Sequence, residues 1–177
     1  SASAVVNGKA VETSMGLTPL EGLVMGGRTG DIDPAVVFHL ARNANMSIDE
    51  IDNLFNRESG LKGLTGHNDM REVRNLAASG DANAREALDV YAHRLVKYIG
   101  AYAATMGGLD AITFTAGAGE NDTDLRSEVA DRLGAFGVEI SEEKNAVRSK
   151  EPRIISTPNS TVKVLVITTN EELAIAR

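Results

Sequence analysis

Cysteine is absent from the 177 residues, so neither a disulfide framework nor a thiolate metal site can form. That fits a reducing compartment. No apolar run reaches the length needed to cross a bilayer, and no secretory leader pattern is present, which makes the cytoplasm the default location. An excess of positive charge is missing as well. The net charge of −7 argues against a general nucleic-acid surface, yet leaves room for a phosphate ligand held by a few local arginines or backbone groups. There is no internal repeat and no low-complexity tract. The three histidines, His39, His67 and His93, are not spaced as a metal cluster, and none of them reads as catalytic. What is present is an ordinary soluble composition, 42% hydrophobic, in a chain long enough for one sizeable core.

The pattern along the chain alternates strands and helices. Residues 1–6 read as a strand, Asn7-Gly8 as a type I′ hairpin turn, and 10–13 as the return strand. A chain that opens inside a hairpin looks cut within a sheet, and its exposed edge would need cover. Residues 15–30 are glycine-rich and irregular. Asp33 and Pro34 predict a helix start, running to about Asn43. Ser47-Ile48-Asp49-Glu50 is a capping box for a second helix with Ile51, Leu54 and Phe55 inward. Residues 60–68 read as a loop, and Asp69 as the cap of a helix carrying Val73, Leu76 and Ala77. The clearest element is a helix over 81–106. There Ala84, Leu88, Tyr91, Leu95, Tyr98 and Tyr102 recur at spacings of three and four, and Gly107-Gly108 ends it.

A buried strand over 111–115, a glycine-rich loop over 117–121 and a helix through Leu125, Val129, Leu133 and Phe136 follow. Short strands at 138–140, 154–155 and 162–167 are expected, with a helical turn over 142–146. A last helix should start at Asn170. This alternation implies an α/β domain with a mixed sheet. Periodicity alone fits a Rossmann-like sheet equally well.

Four places could carry chemistry. The stretch Phe114-Thr115-Ala116-Gly117-Ala118-Gly119-Glu120-Asn121 lies between a strand and a helix, where glycines permit close approach of a ligand and helix N–H groups favour a phosphate. The same pattern also serves as a plain strand-to-helix turn. Arg28 stands between glycines, beside Asp31 and Asp33; it either pairs those aspartates or reaches an anion with its planar fork. Asp69 and Arg71 read as a helix cap and a solvated helix residue. Glu171 and Glu172 open the last helix, where they would complement its dipole.

Together, Thr18-Pro19-Leu20-Glu21-Gly22, Arg28-Thr29-Gly30-Asp31-Ile32-Asp33-Pro34, Gly60-Leu61-Lys62-Gly63-Leu64-Thr65-Gly66, Asp69-Met70-Arg71-Glu72-Val73, the 114–121 stretch and Ile167-Thr168-Thr169-Asn170-Glu171 occur in the order found in the acetate kinase (acetokinase) family. The chain closely resembles that family, which falls in the acetate and sugar kinase/heat-shock protein/actin superfamily, from Ser1 to Arg177. The resemblance implies an actin-like, ribonuclease-H-like fold. It implies that residues 1–177 are the C-terminal, nucleotide-binding part of a two-domain kinase of roughly twice this length. An upstream phosphate loop, a catalytic histidine, a second arginine, an aspartate and an asparagine would belong to a part outside this chain.

By the same resemblance, Arg28 lies beside the carboxylate substrate and the transferring phosphoryl group. Asp69, Met70 and Arg71 contact the nucleotide, and Gly117, Ala118, Gly119, Glu120 and Asn121 form the adenosine loop. Glu171, with Glu172 as the alternative, serves magnesium through water. Two departures bear on the pocket: the family more often has glycine where Ala116 stands, and a larger aliphatic residue where Ala118 stands. The implied reaction is reversible, magnesium-dependent transfer from ATP to acetate, giving ADP and acetyl phosphate, in a cytoplasmic homodimer. Propionate or butyrate kinase is the alternative within the enzyme class. A nucleotide-binding or interaction module without turnover is the alternative outside it.

Overall fold

A computed structural model describes residues 1–169. The chain divides into two compact units, Ser1–Tyr102 and Ala103–Arg177.

The first unit opens with an antiparallel hairpin of β1 (Ser3–Val6) and β2 (Lys9–Thr13). Its turn has Asn7 at φ 51° and Gly8 at φ 76°, the two left-handed residues that a type I′ turn requires. A glycine-rich stretch then leads to α1 (Ala35–Asn43), α2 (Ile48–Arg57), α3 (Gly60–Thr65), α4 (Met70–Ala78) and α5 (Ala82–Met106). The caps of α2 and α4 are those the sequence predicts, whereas the N-cap of α1 is Pro34, one residue after the expected Asp33, with no side-chain cap bond. Asp33 Oδ1 accepts from the Ala35 N–H at 2.9 Å. Ser47 and Glu50 form the full capping box on α2. Asp69 accepts from the Arg71 N–H at 2.8 Å and starts α4. The core of this unit gathers Leu61, Val73, Ala84, Ala87 and Leu88, with Met70, Leu76, Ala77 and Tyr91 packed against it.

The second unit holds β3 (Ala111–Phe114), α6 (Ala116–Asn121), α7 (Thr123–Arg132), a 3-10 turn (Gly134–Phe136), α8 (Glu142–Asn145), β4 (Arg153–Ile154) and β5 (Lys163–Val166). Its sheet is mixed, in the order β3-β5-β4: β3 and β5 are parallel, and β4 is antiparallel to β5. Phe114, Leu125, Val129, Leu133, Ile155, Val164 and Val166 are buried between sheet and helices. No helix among the described residues is long and apolar enough to cross a membrane.

Four sequence expectations change here. Residues 60–65 are helical, not a loop, although three glycines lie at 60, 63 and 66. Tertiary anchoring outweighs the low glycine propensity: Leu61 is 2% exposed, and its N–H donates to the Met25 carbonyl at 3.0 Å. Residues 116–121 are a short helix and not an open loop. The helix after it ends at Arg132, and Phe136 falls in the separate 3-10 turn. The expected strand over 138–140 shrinks to a single bridge, Ile140 to Ser156. The helix expected from Asn170 lies outside the described residues.

Candidate functional site

In the first unit the Arg28 loop is laced to the α2–α3 connection. The Thr29 N–H donates to Phe55 O at 3.1 Å, Ser59 N–H to Gly27 O at 2.9 Å and Lys62 N–H to Gly26 O at 2.8 Å. Glycine is required for this approach. Gly60 has φ 59°, and a Cβ there would collide with the Met25 carbonyl oxygen. A Cβ on Gly26 would lie 2.5 Å from the Asn68 carbonyl, so the Arg28 loop and the segment that leads into Asp69 run side by side. The structure therefore brings two of the sequence-predicted places together.

Arg28 does not pair the neighbouring aspartates, which removes the structural role open to it from sequence. Asp33 is engaged by the Ala35 N–H. Asp31 is taken by the long helix: its Oδ2 lies 3.2 Å from Arg94 Nη1 and accepts from the Tyr98 hydroxyl at 2.8 Å. Its Oδ1 accepts from the Gly22 N–H at 2.9 Å, which ties the 18–22 and 28–34 motifs to each other. Burial first, and the Asp31 hydrogen bond second, push the Tyr98 phenol up to about 12. Arg28 itself is half-buried, with Nη1 3.8 Å from the Met25 sulfur. A fixed loop thus presents a guanidinium that makes no ion pair with Asp31 or Asp33. Sequence marks Tyr98 only as part of the periodic face of the long helix and does not mark Arg94, because their partner lies 63 to 67 positions away.

Asp69 and Arg71 bind each other. Asp69 Oδ2 lies 2.6 Å from Arg71 Nη2, and Oδ1 accepts from Nε at 3.1 Å. The Arg71 side chain alongside is the main reason that the Asp69 carboxyl is held at about 2. The Arg71 side chain is 88% exposed, so this pair lies open to solvent. Met70 instead packs on the core cluster.

In the second unit, α6 follows directly on the carboxyl end of β3. The neighbouring parallel strand β5 ends beside it, with the Ile167 N–H donating to Phe114 O at 3.0 Å. Ligands of open α/β sheets bind outside the carboxyl ends of such strands. The two exits are joined by Glu120, whose Oε1 accepts from the Ala116 N–H at 2.6 Å and the Thr169 N–H at 2.9 Å. The Thr169 hydrogen bond is the main cause that lowers the Glu120 pKa. Asn121 folds back to donate from Nδ2 to Gly117 O at 2.8 Å. Both side chains are thus engaged within the turn.

The left-handed residue of the turn is Ala116, at φ 54°; neither Gly117 nor Gly119 has a positive φ. Neither glycine is required by a left-handed backbone. A Cβ on Gly117 would meet nothing within 4 Å, so its face is open, whereas one on Gly119 would lie 3.4 Å from the Phe114 backbone. Glu171 and Glu172 lie outside the described residues. Among the described residues no group of three or more His, Asp or Glu side chains is placed to hold a metal.

Comparison with solved structures gives the class first: this is the actin-like ATPase fold of the acyl-group kinases. The chain superposes on Porphyromonas gingivalis acetate kinase with a TM-score of 0.93 at 39% identity, covering 98% of this chain and 44% of that one. A propionate kinase from Francisella tularensis gives 0.92 at 45% identity, again over 98% and 44% of the two chains. The sequence model of the acetokinase family matches residues 1–177, and the chain belongs to that family. Among curated relatives, acetate kinases of Leifsonia xyli and Corynebacterium aurimucosum are 63% and 56% identical over all 177 residues, which make up 45% and 44% of their lengths. The chain therefore spans less than half the length of these relatives.

Proposed function

We propose that this chain is the nucleotide-binding part of an acetate kinase that transfers the γ-phosphoryl group of ATP to acetate, reversibly. The observation that carries the reading is the family match across every residue of the chain. In the reaction a carboxylate oxygen of acetate forms a bond to the γ-phosphorus as the bond from phosphorus to the β,γ-bridging oxygen breaks. ADP leaves with the electron pair, and no proton has to move.

Each unit has its own share. In the first, Arg28 stabilises charge on the equatorial phosphoryl oxygens, and the freedom of its guanidinium from Asp31 and Asp33 supports this role. Asp69, Met70 and Arg71 form a nucleotide-contacting segment beside the Arg28 loop; Met70 contributes only its backbone, since its side chain packs on the core. In the second, Gly117, Ala118, Gly119, Glu120 and Asn121 receive the adenosine at the open face of the turn, while the Glu120 and Asn121 side chains keep that turn in shape. Magnesium, when bound, offsets charge on the β- and γ-phosphates. Phosphate oxygens and water would hold most of its coordination sphere, with Glu171 or Glu172 contributing through water. A cytoplasmic homodimer belongs to the same reading and rests on the resemblance.

A second reading, propionate kinase, is favoured by the likeness to the Francisella tularensis enzyme, which shares more identity with this chain than the Porphyromonas gingivalis one does. The test is a kinase of the relatives' length carrying residues 1–177, assayed for acyl phosphate with ATP, magnesium and acetate, propionate or butyrate. The acetate reading requires the highest kcat/KM with acetate. A preference for propionate would move the assignment to the second reading, and no acyl phosphate from any acid would sink both.

A further inference from the structure

Arg126 is a cation placed where a charge is costly. Its side chain is among the largest fully buried ones, 1% exposed, and a buried guanidinium persists only when its donors are satisfied. Four hydrogen bonds hold it, and all four acceptors are uncharged oxygens. Nε donates to Asn145 Oδ1 at 2.7 Å and Nη2 to Asn145 O at 3.0 Å. Nη1 donates to Gly119 O and to Glu120 O, each at 2.9 Å. Asn145, also 1% exposed, is itself locked, with Nδ2 donating to Thr123 O and to Ser127 Oγ at 2.9 Å.

The two carbonyls that Arg126 takes belong to the last turn of α6. The chain leaves that helix at Asp122, with φ −100° and ψ 95°, so the final carbonyls lack intrahelical partners. A cation at a helix C-terminus is favoured on electrostatic grounds as well. Arg126 therefore does more than fill the core. Its rigid fork joins one edge to Asn145 and aims the other at two successive peptide planes of the glycine turn. Rotation of either plane would cost the buried guanidinium one of its acceptors.

We propose that Arg126, braced by Asn145, is the positioning residue that fixes the 116–121 turn in its nucleotide-receiving geometry. This rests on the reading of that turn as the adenosine site. Arg126 acts from beneath, through the Gly119 and Glu120 carbonyls. Lysine in its place keeps the charge but not the fork, and cannot hold Asn145 and both carbonyls in one plane.

The test uses a kinase of the relatives' length carrying this chain, with Arg126→Lys, Asn145→Ala and Gly119→Val compared with the parent. The readouts are KM for ATP and for acetate, the Kd of a fluorescent ADP analogue, and the melting temperature. Arg126→Lys should raise the ATP KM and the analogue Kd on the order of tenfold, a loss of about 1.4 kcal/mol of binding, and leave the acetate KM within about twofold of the parent. Asn145→Ala should show the same split at smaller size, and it carries the test should the lysine variant not fold. Unchanged nucleotide affinity in the folded variants, with Gly119→Val impaired, overturns the positioning role and leaves the adenosine site standing. Equal rises in both KM values also overturn it. Unchanged affinity in all three variants overturns the adenosine site, and the proposal with it.

Discussion

Replacing Ala116 by glycine should stabilise this protein, against the usual cost of glycine in a helix. Ala116 begins α6 with φ 54°, in the left-handed region. An L-residue with a Cβ loses about 1–2 kcal/mol there. Glycine removes that cost but adds about 0.4–1 kcal/mol of unfolded-chain entropy. Ala116 is exposed, so its methyl contributes little burial, and its N–H keeps the 2.6 Å bond to Glu120 in either variant. The net gain is about 0.5–1 kcal/mol, or a rise of about 1–4 °C in melting temperature for a chain of this size. Urea denaturation followed by far-UV circular dichroism measures it. Ala101→Gly is the control: Ala101 is exposed inside α5, where glycine should cost about 0.8–1.0 kcal/mol. Opposite signs for the two variants support the left-handed assignment. A loss at Ala116→Gly as large as that at Ala101→Gly would refute it.

Arg28→Ala, in a kinase of the relatives' length, should lower turnover on the order of 10²–10³, the usual cost of one transition-state donor. Arg28→Lys should recover only part of this, and near-normal turnover in folded Arg28→Ala would return the residue to a structural role. Ser47→Ala removes the hydroxyl that accepts from the Glu50 N–H at the start of α2 and should cost about 1 kcal/mol in urea unfolding; no change would mean this half of the capping box is idle in solution. The Glu120 carboxyl titrates below its ordinary value because the folded state donates hydrogen bonds to it. Its contribution to stability is therefore complete above the ordinary glutamate value and is lost as pH falls through the lowered folded one. Glu120→Gln should flatten that part of the acid-stability profile, and an unchanged profile would show that the carboxylate does not bridge Ala116 and Thr169.

Local chemistry is what the sequence made legible. Asn7-Gly8 dictated its turn, Ser47 and Glu50 their capping box, and the spacing from Ala84 to Tyr102 its helix, because each signal is complete within a few residues. The short helix at Gly60 was hidden, since its stability comes from carbonyls at Met25 and Gly26 and not from its own glycine-rich composition. In the 116–121 turn the motif drew attention to Gly117 and Gly119, but the strained position is the alanine before them. The resemblance had marked Ala116 as a departure without giving the reason, which is the positive φ. The partners that fix the site were out of reach. Asp31 meets Arg94 and Tyr98, and Arg126 meets Asn145, across separations that only the folded chain closes.

The most direct test of the central claim, that the 116–121 turn receives the nucleotide, is the pair of Michaelis constants for Gly119→Val. A Cβ at Gly119 already lies 3.4 Å from the Phe114 backbone, so a branched side chain must project into the space above the turn or push the turn away from β3. The account predicts that the KM for ATP rises well beyond the parent value in the intact kinase while the KM for acetate stays close to it. Equal rises in the two constants, with melting unchanged, would contradict it.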